Sequence, residues 1–311
     1  MRIDIIIPTY KPDERLLTII SKLRAQTVAP DRTVIINTEQ KYLQNLLRGR
    51  RYDTTGKLFE VKNISLREFD HGGTRNEGAK GSEADYLLFM TQDALPADDK
   101  LIEKLLAAFA DEKVGAAYAR QLPYEDASLA ERFSRSFNYP AEATVKSMAD
   151  IDRLGIKTFF CSNACAMYKR EIFEKLGKFP KGMIFNEDMV FAHTLVSNGY
   201  KIAYAADAAV YHSHNYTNMQ QFHRNFDLAV SQAMHPEVFG NVSSESEGKA
   251  YVKTAFSYFR EAGKPLYFIP FAIACAYRLM GYRLGKNYKK LTRRQILKCT
   301  ASPNFFYKYW S

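Results

Sequence analysis

The feature that most constrains this chain is an alternation running through roughly its first 120 residues, in which short apolar stretches of strand length are separated by segments with the apolar spacing of helices. Residues 2–7 read as an apolar strand of the kind buried on both faces of a sheet. Pro8-Thr9-Tyr10 ends it, Asp13 reads as a helix N-cap, and Leu16, Leu17, Ile19, Ile20 and Leu23 form the stripe of the helix behind it. Further strands are predicted at 33–36, 58–61, 86–90 and 114–118. Helices are marked by Leu43, Leu46 and Leu47, by the segment from Asp70 toward Lys80, and by 101–109. This order predicts an α/β fold with a mostly parallel central sheet covered by helices on both faces.

Beyond residue 120 the pattern is less regular. Residues 127–155 read as helical, 159–168 as a strand pair or a strand with a turn at Ser162-Asn163, and 169–176 and 186–198 as helices. Two short strands are predicted at 202–204 and 209–211, and after Asn215 the pattern is helical to the end. The charge is equally uneven. The formal net charge is +10, yet from Lys249 onward there are 13 Lys and Arg against the single acid Glu261, so the rest of the chain is nearly neutral. A nucleic-acid enzyme spreads its basic residues along the groove it works in, which argues against that class despite the basic total. A basic, aromatic tail suits an anionic lipid surface, with a helical hairpin packed on the main domain or forming a homodimer as the alternative.

Cys161, Cys165, Cys275 and Cys299 form no CxxC pair, so neither a zinc cluster nor a disulfide framework is expected, and the thiols read as those of a reducing compartment. The opening MRIDIIIPTY has neither the n-region nor the cleavage site of a signal peptide. The most apolar stretch, 265–277, is interrupted by Pro270 and falls short of the ~18–20 residues that span a bilayer.

In open sheets of parallel strands, ligands bind beyond the carboxyl ends of the strands. The segments just past those ends, 8–10, 37–39, 70–76 and 91–94, all carry polar or special residues. Asp93 ends a strand in LLFMTQDALP, where a carboxylate points into the cleft and suits a hard divalent cation such as Mg²⁺ or Mn²⁺; capping of the next turn is an equal alternative. Glu187 and Asp188 open a helix, where acids complement the dipole; set about a quarter-turn apart, one could hold an acceptor while the other takes its proton. His212 and His214 in VYHSHNY alternate onto one face if the strand persists, where an imidazole could be a metal ligand beside Asp93; a pair of surface or capping histidines is the alternative. In DHGGTRN, two glycines allow close backbone approach and Arg75 could pair with a diphosphate; the segment is neither a Walker loop nor a GxGxxG fingerprint.

Taken in order, IIIPTYKP, FDHGGTRNEG, YLLFMTQDALP, CSNACAMYKREIFEKLGKF, NEDMVFAHTLVSNGY and VYHSHNYT resemble the family 2 inverting glycosyltransferases of GT-A fold, and within them the bacterial rhamnosyltransferases, over about residues 5–217. The resemblance implies a GT-A catalytic region over 1–215, with a donor half to about 120 and an acceptor half from 121, followed by a helical basic extension over 216–311. It implies that Pro8, Thr9 and Tyr10 line the base pocket, that Asn37 and Glu39 touch base or ribose, and that Asp70, Gly73, Arg75 and Asn76 contact the nucleotide or its phosphates. Thr91-Gln92-Asp93 matches the DxD motif with Thr for its first Asp, which leaves Gln92 and Asp93 on the donor side and metal ligation to Asp93 and His212. Asp188 becomes the catalytic base and Glu187 an acceptor-site residue. The implied reaction is single displacement with inversion, from dTDP-β-L-rhamnose to a lipid-linked saccharide acceptor, by an enzyme at the cytoplasmic face of the cell membrane. A UDP-hexose donor, a nucleotidyltransferase, a nucleic-acid-binding protein and an inactive scaffold are the alternatives.

Overall fold

The computed structural model describes residues 1–49, 59–240 and 245–310. Its first part runs β1 (Ile3–Tyr10), α1 (Glu14–Arg24), β2 (Arg32–Thr38), α2 (Gln40–Leu47), β3 (Phe59–Ile64), α3 (His71–Ala79), β4 (Tyr86–Met90), β5 (Leu95–Pro96), α4 (Leu101–Ala107) and β6 (Val114–Leu122). It continues with α5 (Leu129–Asn138), β7 (Thr144–Lys146), α6 (Ile151–Leu154), β8 (Cys165–Lys169), α7 (Arg170–Lys175), α8 (Glu187–Ser197) and β9 (Lys201–Tyr211). Helices α9 (Asn218–Met234), α10 (Pro236–Phe239), α11 (Glu245–Glu261), α12 (Phe268–Lys286), α13 (Arg293–Cys299) and α14 (Pro303–Trp310) follow. Leu58, the first residue of one expected strand, lies outside the described residues; the strand is present from Phe59.

The strands form one sheet in the order β3-β2-β1-β4-β8-β6-β9-β5, with β7 also paired to β9. Strands β1, β2, β3 and β4 are mutually parallel, β8 is antiparallel to both β4 and β6, and β9 is parallel to β6. Six strands therefore point their carboxyl ends at one rim, and β8 begins there. Ile5, Ile7, Leu88 and Met90 face a layer built from α1 and α4, while Ile6, Leu87 and Phe89 face the other side. On that second side the ring of Phe89 lies 4.9 Å from Phe179 and 5.5 Å from Phe173, so aromatic side chains rather than aliphatic ones fill the layer under α7 and α8.

Three sequence expectations change here. The region 127–155, read as helical, contains α5 but also β7, whose three residues are too few to show a period and whose pairing partner, Tyr204 opposite Thr144, is remote in sequence. Within 159–168 only β8 is a strand, because residues up to Phe159 form a 3₁₀ turn. The two short strands at 202–204 and 209–211 are one strand, β9, with a bulge: Ala205 pairs with Ala119 and Ala209 with Arg120, which leaves 206–208 without partners on β6. Asp207, exposed on that bulge, is the residue that broke the apolar pattern.

The helical region after β9 packs into the sheet domain through two aromatic cores. One joins Ile184 to Phe226, Val230, Tyr288, Ile296 and Phe306; the other joins Phe133 of α5 to Ala255, Phe259 and Phe271. Helix α12 runs along α9 at close range, and Gly281 and Gly285 permit it, since a Cβ at either would run into the carbonyl of Phe222 or Phe226. Among the described residues no helix is long and apolar enough to cross a membrane.

Candidate active site

Asp93 lies three residues past β4, and His212 and His214 lie just past β9, two strands that end on the same rim. The carboxylate oxygens of Asp93 approach His212 Nε2 to 3.5 Å and His214 Nε2 to 3.4 Å, and the two ring nitrogens are 3.1 Å apart. Three donors spaced this way fit one face of an octahedron, whose corners lie about 3 Å apart at bond lengths of about 2.1 Å. The tautomer fits as well. Gln121 Oε1 accepts from the Arg135 guanidinium, so the hydrogen bond between His212 Nδ1 and Gln121 Oε1 at 2.8 Å puts the imidazole proton on Nδ1 and leaves Nε2 as a bare donor toward Asp93. Burial and the neighbouring His212 push His214 down to about 4, which keeps it neutral. Burial alone would raise Asp93, but the two imidazoles beside it, His212 first and then His214, hold its carboxyl well below the usual carboxylate range. One carboxylate and two imidazoles form a mixed oxygen–nitrogen set for a divalent ion.

The second centre is the acid pair at the start of α8. Asn186, the residue before it, adopts a left-handed backbone (φ 64°), is buried, and leaves its side-chain Nδ2 without a hydrogen-bond partner. This strained residue aims the two acids. Glu187 turns inward, 3.0 Å from Arg75 Nη1 and 3.3 Å from Asn163 Nδ2. Burial opposes its ionisation, yet Arg75 and His71 hold its carboxyl below the ordinary value. Asp188 is half-buried and accepts from the backbone N–H of Asn163 at 3.1 Å and of Met189 at 2.8 Å. Burial, together with the negative Glu187 beside it, pushes Asp188 up to about 7. The two adjacent carboxyls thus have separated proton affinities, Glu187 lowered and Asp188 raised, a separation of the kind found where two acids serve different purposes.

A hydrogen-bonded path joins the two centres. Gln121, already bound to His212, donates from Nε2 to Ser162 Oγ at 2.9 Å, and the next residue, Asn163, contacts both acids. Tyr168 fixes Asn163 in turn by donating to its Oδ1 at 2.8 Å. Asp93, His212, Glu187 and Asp188, far apart in the chain, therefore share one stretch of rim.

The other predicted residues occupy the same rim, but most of their side chains are turned to internal partners. Asn37 is fully buried between Thr9 Oγ1 (3.1 Å) and Asn63 (2.8 Å), so its amide braces the ends of β1 to β3. Glu39, in a left-handed conformation, accepts from Leu66 N–H at 2.8 Å. Gln92 exchanges two 2.9 Å hydrogen bonds with the backbone of Tyr10, stitching β1 to the loop after β4. Asp70 caps α3 through Gly73 N–H (2.6 Å) and also accepts from Gly182 N–H (2.7 Å). Asn76 holds the backbone of Phe179 at both its N–H and C=O. Arg75, expected on a diphosphate, is only 7 % exposed and is committed to Glu187 and the His71 carbonyl (2.9 Å), because a buried carboxylate left unpaired is costly. Pro8 lies beside exposed Tyr10, whose ring meets Tyr42 edge-on at 5.5 Å.

The mostly parallel sheet flanked by helices, with the helical region that follows it, is the fold of the GT-A glycosyltransferases. The structure matches a mannosyltransferase from Pyrobaculum calidifontis, solved with GDP-mannose and Mn²⁺, with TM-score 0.62 and 14 % identity over 93 % of this chain and 88 % of that one. It matches residues 1–349 of TarS from S. aureus, solved with UDP-GlcNAc, with TM-score 0.52 and 14 % identity over 93 % and 92 % of the two chains. The chain belongs to glycosyl transferase family 2, whose sequence profile matches residues 4–177. It is 38 % identical over 301 residues to the O-antigen chain rhamnosyltransferase RfbN of Salmonella typhimurium, covering 94 % of this chain and 91 % of the relative. It is 42 % identical over 233 residues to the O-antigen chain rhamnosyltransferase WbaN of Salmonella anatum, covering 73 % of each.

Sequence reasoning had placed the metal on Asp93 and His212; His214 completes the cluster, a signal already present in the HSH spacing. Asn163, Asn186 and the Arg135–Gln121 pair were missed. Nothing in the sequence marks Gln121 or Arg135. The Asn before Glu187 was a legible cue, because Asn tolerates the left-handed conformation better than most residues.

Proposed function

We propose that the chain transfers L-rhamnose, with inversion, from dTDP-β-L-rhamnose to a lipid-linked saccharide in the synthesis of a cell-surface polysaccharide. The observation that carries this reading is the pairing of Asp188, half-buried and pushed up to about 7, with the Asp93–His212–His214 cluster on one rim, in a chain similar to two rhamnosyltransferases. Asp188 takes the proton of the attacking hydroxyl while Glu187, held by Arg75, keeps that carboxyl's proton affinity raised. A divalent cation bound by Asp93, His212 and His214 would neutralise the charge that grows on the leaving diphosphate. The two imidazoles favour Mn²⁺ over Mg²⁺. Attack from the Asp188 side, opposite the diphosphate, gives inversion.

The lipid-linked acceptor suits an enzyme at the cytoplasmic membrane surface. Support comes from an exposed apolar face on and beside α12, with Leu266 78 % and Ile269 60 % exposed and Ile273 and Met280 in line behind them. Lys253, Arg260, Lys264 and Arg283 are exposed nearby, and each basic group close to an anionic surface contributes about 1 kcal/mol. Arg278 and Arg293 are not part of this face, being engaged with Tyr251 and with the Trp310 ring.

The test is incubation with dTDP-β-L-rhamnose, UDP-hexoses and GDP-mannose in Mn²⁺ or Mg²⁺, reading slow release of nucleoside diphosphate. Release from dTDP-rhamnose alone is the expected result; selective release from a UDP-hexose would replace the donor, and release of pyrophosphate would replace the reaction class. For the membrane face, Leu266→Glu with Ile269→Glu should free the protein from anionic vesicles, and unchanged partitioning would remove that element. Truncation is unsuited, because the tail completes two cores.

A further inference from the structure

The last helix of the chain returns to the rim. A cleft of about 640 Å³ has Tyr10, Phe69 and Asp70 on one side and Phe305, Lys308 and Tyr309 of α14 on the other. The volume is that of a small-molecule site. Helix α14 is fixed in place and is not a loose tail. Phe306 is fully buried against Phe226 and Val230, and Arg293 lies over the Trp310 ring at 5.0 Å. The turn that launches the helix is tied down by buried Asp227 of α9, which accepts from the Thr300 hydroxyl and from Ala301 N–H at 3.0 Å.

The cleft presents aromatic faces beside cations. The rings of Phe305 and Tyr309 are near-parallel, 5.9 Å apart, and Lys308 and Arg67 both line the space. Flat apolar rings next to two positive groups match a ligand with a planar heterocycle and a diphosphate. A lipid-linked acceptor shares the diphosphate but has no planar ring, and the cleft is continuous with Tyr10 at the end of β1, which favours the nucleotide.

We propose that α14 forms one wall of the donor site: Phe305 and Tyr309 pack on the nucleoside, and Lys308 meets its diphosphate. The proposal rests on the glycosyl-transfer reading above. It makes the far end of the helical region part of the binding machinery for the same reaction.

The chain carries its own probe, since Trp310 is the only tryptophan and sits at the end of α14. Titration of the full-length protein with dTDP in the presence of Mn²⁺ should change Trp310 emission saturably. Tyr309→Ala and Lys308→Met should each raise the dTDP dissociation constant about five- to tenfold; Lys308→Met, at an exposed position, should do so with unchanged melting temperature, and circular dichroism checks that Tyr309→Ala, which loses its contacts with Phe305 and Tyr288, keeps the fold. The donor KM should rise by the same factor while the acceptor KM stays put. Unmoved emission together with unchanged dTDP affinity in both variants overturns the proposal. A rise in acceptor KM in place of donor KM also overturns it and assigns the wall to the lipid diphosphate. If dTDP binding weakens in the variants although the wild type turns over no dTDP-sugar, the wall stands and the proposed reaction falls.

Discussion

Replacing Glu187 by glutamine keeps the side chain's size and removes one charge from beside the base. Asp188 stands at about 7, raised first by burial and then by the Glu187 carboxylate. A charge within about 4–6 Å typically shifts a carboxyl by about one to three pKa units. Arg75, released from its 3.0 Å partner, pulls in the same direction. The base must be deprotonated to act, so kcat/KM rises with pH through the pKa of free Asp188. In Glu187→Gln that rising limb should therefore move from near pH 7 toward lower pH by about one to two units, and the plateau should fall because the base is weaker. The assay is initial-rate nucleoside diphosphate release with acceptor, from about pH 5 to 9, with circular dichroism confirming the fold. Loss of an acceptor contact in the variant raises the acceptor KM but does not relocate the limb. A limb that stays in place, or moves to higher pH, refutes the assignment of Asp188 as base under Glu187's influence. Asp188→Asn should lose about 10²–10⁴ in kcat while still binding donor.

Other outcomes follow from the remaining geometry. Chelation should abolish transfer and Mn²⁺ should restore it; His214→Ala should raise the Mn²⁺ concentration needed for half-maximal rate, as Asp93→Ala does more severely. Gln121→Leu removes the acceptor that orients His212 and should raise that concentration about 10–100-fold without touching substrate. Gly285→Leu should lower the melting temperature by the equivalent of about 1–3 kcal/mol or more, because α12 can no longer lie against the Phe226 carbonyl. Burial raises Asp227 to about 6 from an ordinary 3.8, so the folded protein holds a proton there that the unfolded chain releases. Its contribution to stability should fall as pH climbs from 3.8 to about 6 and then level off, a slope that Asp227→Asn should erase in melting curves.

β1, β2 and β4 were legible because each is a short apolar run, and parallel strands buried on both faces have no polar alternation to confuse the reading. β7 and the bulge in β9 were not, because three-residue pairings and unpaired insertions leave no period. At the site, the acids and histidines were legible as chemical types past strand ends. Their division of labour was not. That Arg75 pairs with Glu187, and that Gln121 orients His212, depends on contacts between residues 91 to 112 positions apart. No local pattern encodes such contacts.

The unpaired residues 206–208 in β9 have a bearing on how chains of this kind can change. The ladder is pinned on either side, by Ala205 opposite Ala119 and by Ala209 opposite Arg120, and the histidine pair hangs from the second pin, with His212 N–H bound to Leu122 C=O at 2.9 Å. A codon gained or lost inside 206–208 is absorbed as slack. The same event between 209 and 211 slips the strand by one position and turns both imidazoles to the opposite face. Length variation in related genes should therefore be found within the bulge and be absent from the few residues after it.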